Sequence, residues 1–130
     1  MIRAKLSLVC VVCVVAFSSG GLADSSKAER VVLVEAEYRF APSRLTFRVG
    51  STYRLHVENR GKELHEFTAP AFLKTVEVVN PEALSPDGTE LVVEPGEEKD
   101  LDFVPKQAGR FPFYCADHDW AGMTGEIVVK

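Results

Sequence analysis

The sequence predicts an all-β protein, a two-sheet antiparallel Greek-key sandwich, on three observations. Short segments rich in Val, Phe, Tyr, Leu and Thr succeed one another through most of the chain, and most of them alternate apolar with polar residues. Gly, Pro, Asn and Asp separate these segments at short intervals, as hairpins and Greek-key corners require. About eight or nine such segments fall within roughly 100 residues, which suits a sandwich better than a helical or α/β arrangement.

The first residues stand apart from this pattern. Arg3 and Lys5 precede an apolar run from Leu6 to Phe17, and small residues ending in Gly21-Leu22-Ala23 come before Asp24. That is the plan of a secretory signal peptide over residues 1–23, and the run is short of the roughly 20 apolar residues that span a bilayer. Stable membrane insertion after cleavage is therefore not expected, and neither valine-preceded cysteine of the leader, Cys10 or Cys13, suits lipid attachment. Residues 24–29 are expected to form a flexible N-terminus, and 30–130 a single folded domain. Loss of Arg3 and Lys5 with no acidic residue leaves the chain two charges more acidic than its formal −4. Nucleic acid is then an unsuitable partner, since it is bound through clustered Lys and Arg.

The strands expected in the exported part are VVLVEAEYRF, RLTFRVG, STYRLHVENR, ELHEFTA, KTVEVVN, TELVVEPG, KDLDFVPK, GRFPFYC and GEIVVK. APS, VGS, NRGK, EPGEE and QAG supply the turns between them, and the longest connection, Asn80 to Gly88, has room for a helical turn around PEAL. In TYRLHVEN, Tyr53, Leu55 and Val57 share one face, taken as buried, and Arg54, His56 and Glu58 share the other, which makes His56 a surface residue. His65 shares a face with Phe67 near a strand end.

The last strand but one runs into FYCADHDWAGM. Beyond the leader this stretch holds the only cysteine, one of the chain's three histidines and the only methionine besides the initiator. An exported domain with one cysteine cannot close an internal disulfide, so Cys115 is an intermolecular partner, a nucleophile or a metal ligand. Cys115, His118 and Met123 have the spacing C-x2-H-x4-M, and His65 adds a second imidazole from upstream. Two imidazoles, a thiolate and a weak axial thioether are the donors of a blue-copper centre: the soft ligands suit Cu(I), and imidazole suits both oxidation states. Zinc does not favour a thioether. A cysteine nucleophile needs a histidine base oriented by a third group, and none is evident. Copper enzymes would need further histidines and a binuclear centre a second cysteine, so no enzyme is expected.

In these residues, and in YRFAPSRLTFRVG and LHEF, the chain resembles the small cupredoxins, with a ligand loop similar to the plastocyanin and pseudoazurin groups. The resemblance implies one Cu(I)/Cu(II) ion held by His65, Cys115, His118 and Met123, in a periplasmic protein that shuttles single electrons. It implies partners such as cytochromes or copper and haem enzymes, met through the surface around His118. The alternative is a copper carrier or resistance protein without an electron-transfer role, against which stands the absence of Met-rich or His-rich tracts. Two positions depart from those relatives. Glu66 stands where they usually have the asparagine that braces the cysteine loop, and alternation points its side chain away from the site. Asp117 replaces a common proline and, with Asp119, sets acids on both sides of His118. Trp120 is expected to pack the loop against the sandwich, or else to join an apolar docking surface.

Intact mass or N-terminal sequencing of the exported protein should place its first residue at or near Asp24. Recovery of the full-length chain from a membrane fraction would contradict the cleaved leader.

Overall fold

The computed structural model describes residues 25–130, so the leader of residues 1–23 lies outside the described residues. A 3-10 turn at Ser25–Lys27 precedes β1 (Glu29–Ala36), which already includes the expected domain start at Arg30. There follow β2 (Arg39–Ala41), β3 (Arg44–Phe47), β4 (Tyr53–Asn59), β5 (His65–Thr68) and a one-turn helix α1 (Pro70–Leu73). The chain continues through β6 (Val76–Val78), β7 (Glu90–Val93), β8 (Glu98–Pro105), β9 (Gly109–Tyr114) and β10 (Thr124–Val129). Two five-stranded sheets result, ordered β2-β1-β4-β8-β6 and β3-β10-β9-β5-β7. Most pairs are antiparallel, and two are parallel: β1 with β4 and β10 with β3. Among the described residues, no helix is long and apolar enough to cross a membrane.

Alternation fills the space between the sheets. Leu33, Leu45, Phe47, Leu55, Val57, Phe67, Leu101, Phe103, Phe113 and Ile127 are buried at every-other positions of their strands. Phe47 meets Phe103 edge-on with ring centroids 5.1 Å apart, and Phe67 lies 5.3 Å from Phe113. The second pair has a positional meaning. Phe67 is two residues beyond His65 and Phe113 two before Cys115, so the aromatic contact fixes the strand ends from which both metal-type donors project.

Three local features differ from the expected strands. VVLVEAEYRF, expected as one strand, breaks at Glu37–Tyr38 into β1 and β2, which pair antiparallel. The break carries no Gly, Pro, Asn or Asp, and so left no turn signal. Helix α1 occupies part of a segment without helical period, because four residues are too few to show one; Pro70 at its start and buried Phe72 and Leu73 account for it. Around PEAL the chain does make a 3-10 turn, Pro81–Ala83.

Inward alternation also carries Glu35 into the core. It is wholly buried, and neither carboxylate oxygen has a hydrogen-bond partner. Burial first, and then the charge of Glu66, raise its pKa from 4.5 to about 8. Because the folded value lies above the ordinary one, the native state holds this proton more tightly. Its contribution to stability is complete below pH 4.5 and is lost as pH rises to about 8. In urea melts of the copper-free protein, Glu35→Gln should flatten the fall in stability across that window. The slope removed is at most about 1.4 kcal/mol per pH unit; identical pH profiles would show that Glu35 is solvated.

Candidate metal centre

β5 begins with His65 and β9 runs directly into Cys115, and the loop between Cys115 and Met123 folds back on itself through its own backbone. The Cys115 amide donates to the Met123 carbonyl at 3.0 Å, the His118 amide to the Cys115 carbonyl at 3.2 Å, and the Ala121 amide to the His118 carbonyl at 3.0 Å. A 3-10 turn at Asp119–Ala121 ends at Gly122, whose φ of 81° lies in the left-handed region that glycine enters without strain. That reversal returns the chain to Met123, which is wholly buried beside Cys115.

Three donor atoms converge. Cys115 Sγ lies 3.8 Å from His65 Nδ1 and 3.3 Å from His118 Nδ1, and the two Nδ1 atoms are 3.2 Å apart. A trigonal ion with bonds of about 2.0–2.3 Å separates its donors by about 3.5–4 Å. The triangle is close to that size and contracts slightly toward the two nitrogens, so these residues fit a thiolate–imidazole metal centre. His65 is 0% exposed and His118 9% exposed, which makes His118 the ring nearer to solvent.

Carboxylates hold the far side of both rings. His65 Nε2 lies 3.2 Å from Glu37 Oε1, and His118 Nε2 lies 2.7 Å from Glu63 Oε2. An ionised carboxylate only accepts, so each Nε2 carries the hydrogen and each Nδ1 presents its lone pair to the centre. Glu37 is itself fixed: amides of Glu63 and Lys62 donate to its Oε1 at 2.8 and 2.6 Å. The Glu63 amide, foremost, holds the Glu37 carboxyl down at about 2. Gly61 is needed here, since a β-carbon at that position would collide with the Glu37 carboxylate. Buried Asn59 ties down the same turn, donating to the carbonyls of Glu63 and Val93 at 2.8 Å and accepting from the Gly61 amide. None of Glu37, Asn59 and Glu63 bore a sequence signal, because each becomes part of the centre through pairing between distant segments.

Glu66 corrects an expectation. Its side chain does not point away: Oε2 accepts from the Cys115 thiol at 3.0 Å and from the Asp117 amide at 3.3 Å. All four residues of β5 are buried, so both its faces are covered, and alternation there does not separate site from solvent. Glu66 thus braces the cysteine loop through its side chain. Burial, followed by this hydrogen bond, pushes the Cys115 thiol up to about 12. A wholly buried, protonated thiol is a poor nucleophile, and a metal ion has to displace its proton on binding.

Two further expectations change. Trp120 does not pack the loop against the sandwich; it is 76% exposed, its indole N–H donates to the Asp117 carbonyl at 2.9 Å, and its ring lies 5.8 Å from Tyr38. The Tyr38 ring in turn lies tilted over His118, with centroids 4.9 Å apart, and its hydroxyl donates to Glu63 Oε1 at 3.0 Å. His56 lies on the opposite face of β4 from Leu55 and Val57, away from the centre, yet it is not a plain surface residue: only 9% is exposed. Asp117 and Asp119 are exposed on either side of His118.

A family model described as a cupredoxin-like domain matches residues 7–129. The chain is 30% identical to the chloroplastic plastocyanin of Silene latifolia subsp. alba over 136 aligned positions, covering 99% of this chain and 76% of the relative. Among solved structures, auracyanin B superposes with a TM-score of 0.63 at 19% identity, over 85% of this chain and 95% of that one. The metal-binding domain of a Cu(I)-exporting P-type ATPase from Streptococcus pneumoniae D39 superposes at 0.53 with 16% identity, over 84% and 92%. At those identities the two structures speak for the sandwich alone. The family match runs along nearly the whole chain: this protein belongs to the cupredoxins, and its cofactor is one copper ion, which the donor triangle fits.

Proposed function

We propose that this chain is an exported, periplasmic type 1 copper protein that carries single electrons between redox partners and catalyses no reaction of its own. His65, Cys115 and His118 would hold the ion, with the buried Met123 offering a weaker thioether donor. The supporting observation is the convergence of two imidazole Nδ1 atoms and the Cys115 sulfur at one buried strand end, with one imidazole close to solvent. Bound copper supplies the one-electron Cu(I)/Cu(II) couple.

The protein's part is positional. β5 and β9 fix the donors from two packed strands, Glu37 and Glu63 hold the imidazole rings with Nδ1 turned inward, and Glu66 ties the cysteine loop to β5. A site so constrained changes little between oxidation states, and that favours rapid exchange. Wholly buried Cys115, His65 and Met123 keep water from the centre. His118 is the outlet, bordered by an apolar pair, Tyr38 and Trp120, and by the carboxylates of Glu63, Asp117 and Asp119. Such a surface suits a partner with a basic rim around an apolar contact: the charges speed encounter, and the aromatic area supplies contact energy.

The copper-loaded Cu(II) protein should absorb intensely in the visible, with one copper per chain. Cys115→Ser should abolish the band and His56→Ala leave it intact, whereas Met123→Leu should keep copper but shift the reduction potential. If His56→Ala removes the colour and His65→Ala does not, the ligand assignment is wrong.

Electron exchange with a basic redox protein should slow as salt rises, because exposed charges are screened over about 8 Å at physiological ionic strength. Asp117 supports the centre only through its amide and carbonyl, which an asparagine retains. The Asp117→Asn, Asp119→Asn double variant should therefore keep its colour while its association rate falls and its salt dependence flattens in stopped-flow measurements. Rates that ignore salt in both proteins would leave the aromatic pair as the docking element.

A further inference from the structure

The outer face of β4 and β8 brings together a second group of metal-type donors. His56 sits opposite Asp100 in the antiparallel ladder and Glu58 opposite Glu98, so two neighbouring cross-strand pairs direct four such side chains to one side of the sheet. The strands fix the spacing, as loops would not.

Within the group the histidine is already oriented. His56 Nδ1 lies 2.7 Å from Asp100 Oδ1, and since the carboxylate accepts, this nitrogen carries the hydrogen. On a ring that carries this one hydrogen Nε2 is a lone pair, and it faces Glu58 Oε1, 3.5 Å away, and Glu98 Oε2, 3.4 Å away. Neither carboxylate oxygen can donate to it. Two carboxylate oxygens therefore converge on Nε2 of a residue only 9% exposed, and a cation, a proton or a metal ion, is needed between them.

The neighbouring basic side chains are held on atoms other than these three. Arg54 makes a two-pronged contact with Asp102 at 2.8 and 2.7 Å and reaches only the other oxygen of Asp100, at 3.9 Å. Arg60 Nε donates to Glu58 Oε2 at 2.8 Å, which leaves Oε1 turned toward the histidine. Lys99 donates to the Val92 carbonyl at 2.7 Å and faces Glu97.

We propose that His56 Nε2, Glu58 Oε1 and Glu98 Oε2 form a second metal site, separate from the copper centre, that takes a divalent cation of the zinc class, with Asp100 as the carboxylate that orients the imidazole. The size is right. A tetrahedral ion with bonds of about 2.0–2.2 Å separates its donors by about 3.3–3.6 Å; His56 Nε2 stands 3.5 and 3.4 Å from the two carboxylate oxygens, and the three residues offer donor atoms that all lie within 4.8 Å of one another. The chemistry is right as well, since one imidazole and two carboxylates form a borderline-hard set and the histidine–carboxylate pair behind it is a recurrent support of zinc ligands. The Glu98 side chain is 62% exposed, which leaves the remaining coordination position to water.

The test is calorimetric titration of the copper-loaded protein with zinc chloride at pH 7 and fixed ionic strength, with the visible band followed throughout. The expected result is one zinc per chain with the band unchanged. His56→Gln should abolish binding, and Asp100→Asn should weaken it by roughly 10- to 100-fold. Absence of stoichiometric zinc binding, survival of binding in His56→Gln, or loss of the copper band as zinc enters would each overturn the proposal. Nitrogen-15 shifts of His56 supply a second measurement: Nε2 should report metal coordination when zinc is present. A ring still protonated on both nitrogens at saturating zinc would make the group a salt-bridge cluster instead.

Discussion

The backbone hydrogen bond from the Cys115 amide to the Met123 carbonyl is the constraint on which the centre depends. It closes the loop at the two residues where β9 ends and β10 is about to begin, so the loop inherits the rigidity of the antiparallel ladder between those strands. With both ends pinned, the short 3-10 turn and Gly122 decide where His118 sits, and the aromatic contact between Phe67 and Phe113 decides how far His65 stands from Cys115. Rigid strands therefore supply the precision of a site that lies partly in a loop.

Around that frame one device recurs. A carboxylate on one ring nitrogen prepares the other for a cation: Glu37 and Glu63 occupy Nε2 of His65 and His118 and leave Nδ1 to the centre, whereas Asp100 occupies Nδ1 of His56 and leaves Nε2 to the outer face. Negative charge gathers near the centre as a result, and its effect reaches Glu35, a wholly buried carboxyl without a hydrogen-bond partner, whose pKa burial and the field of Glu66 raise to about 8. Concentrated negative charge near a metal centre is unfavourable until a cation is present, and a site built this way joins folding stability to metal content.

The same segment serves interior and surface. The chain break at Glu37–Tyr38 places one residue behind His65 and the next across the face of His118, beside the exposed indole of Trp120. The surface around His118 is thus assembled from β1–β2, the turn at 60–64 and the cysteine loop, three pieces held together by Glu63, which meets both Tyr38 and His118.

By itself the sequence determined the sandwich and the core faces of its strands, and it set Cys115, His118 and Met123 in one short C-x2-H-x4-M loop, because alternation and short spacing are local and survive in one dimension. It also placed His65 on the strand face of Phe67, and by parity it set His56 on the opposite face of its strand from Leu55 and Val57. The tertiary structure alone decided the parallel pairings, the division of β1 from β2, the approach of Glu66 to the thiol, the exposure of Trp120 and the company His56 keeps. Each of these is set by groups far apart in the chain: Glu63 and His118 are 55 residues apart, Glu66 and Cys115 49, His56 and Asp100 44. Alternation tells which side of a sheet a side chain leaves from, but what covers that side is chosen by the strands and loops that fold against it.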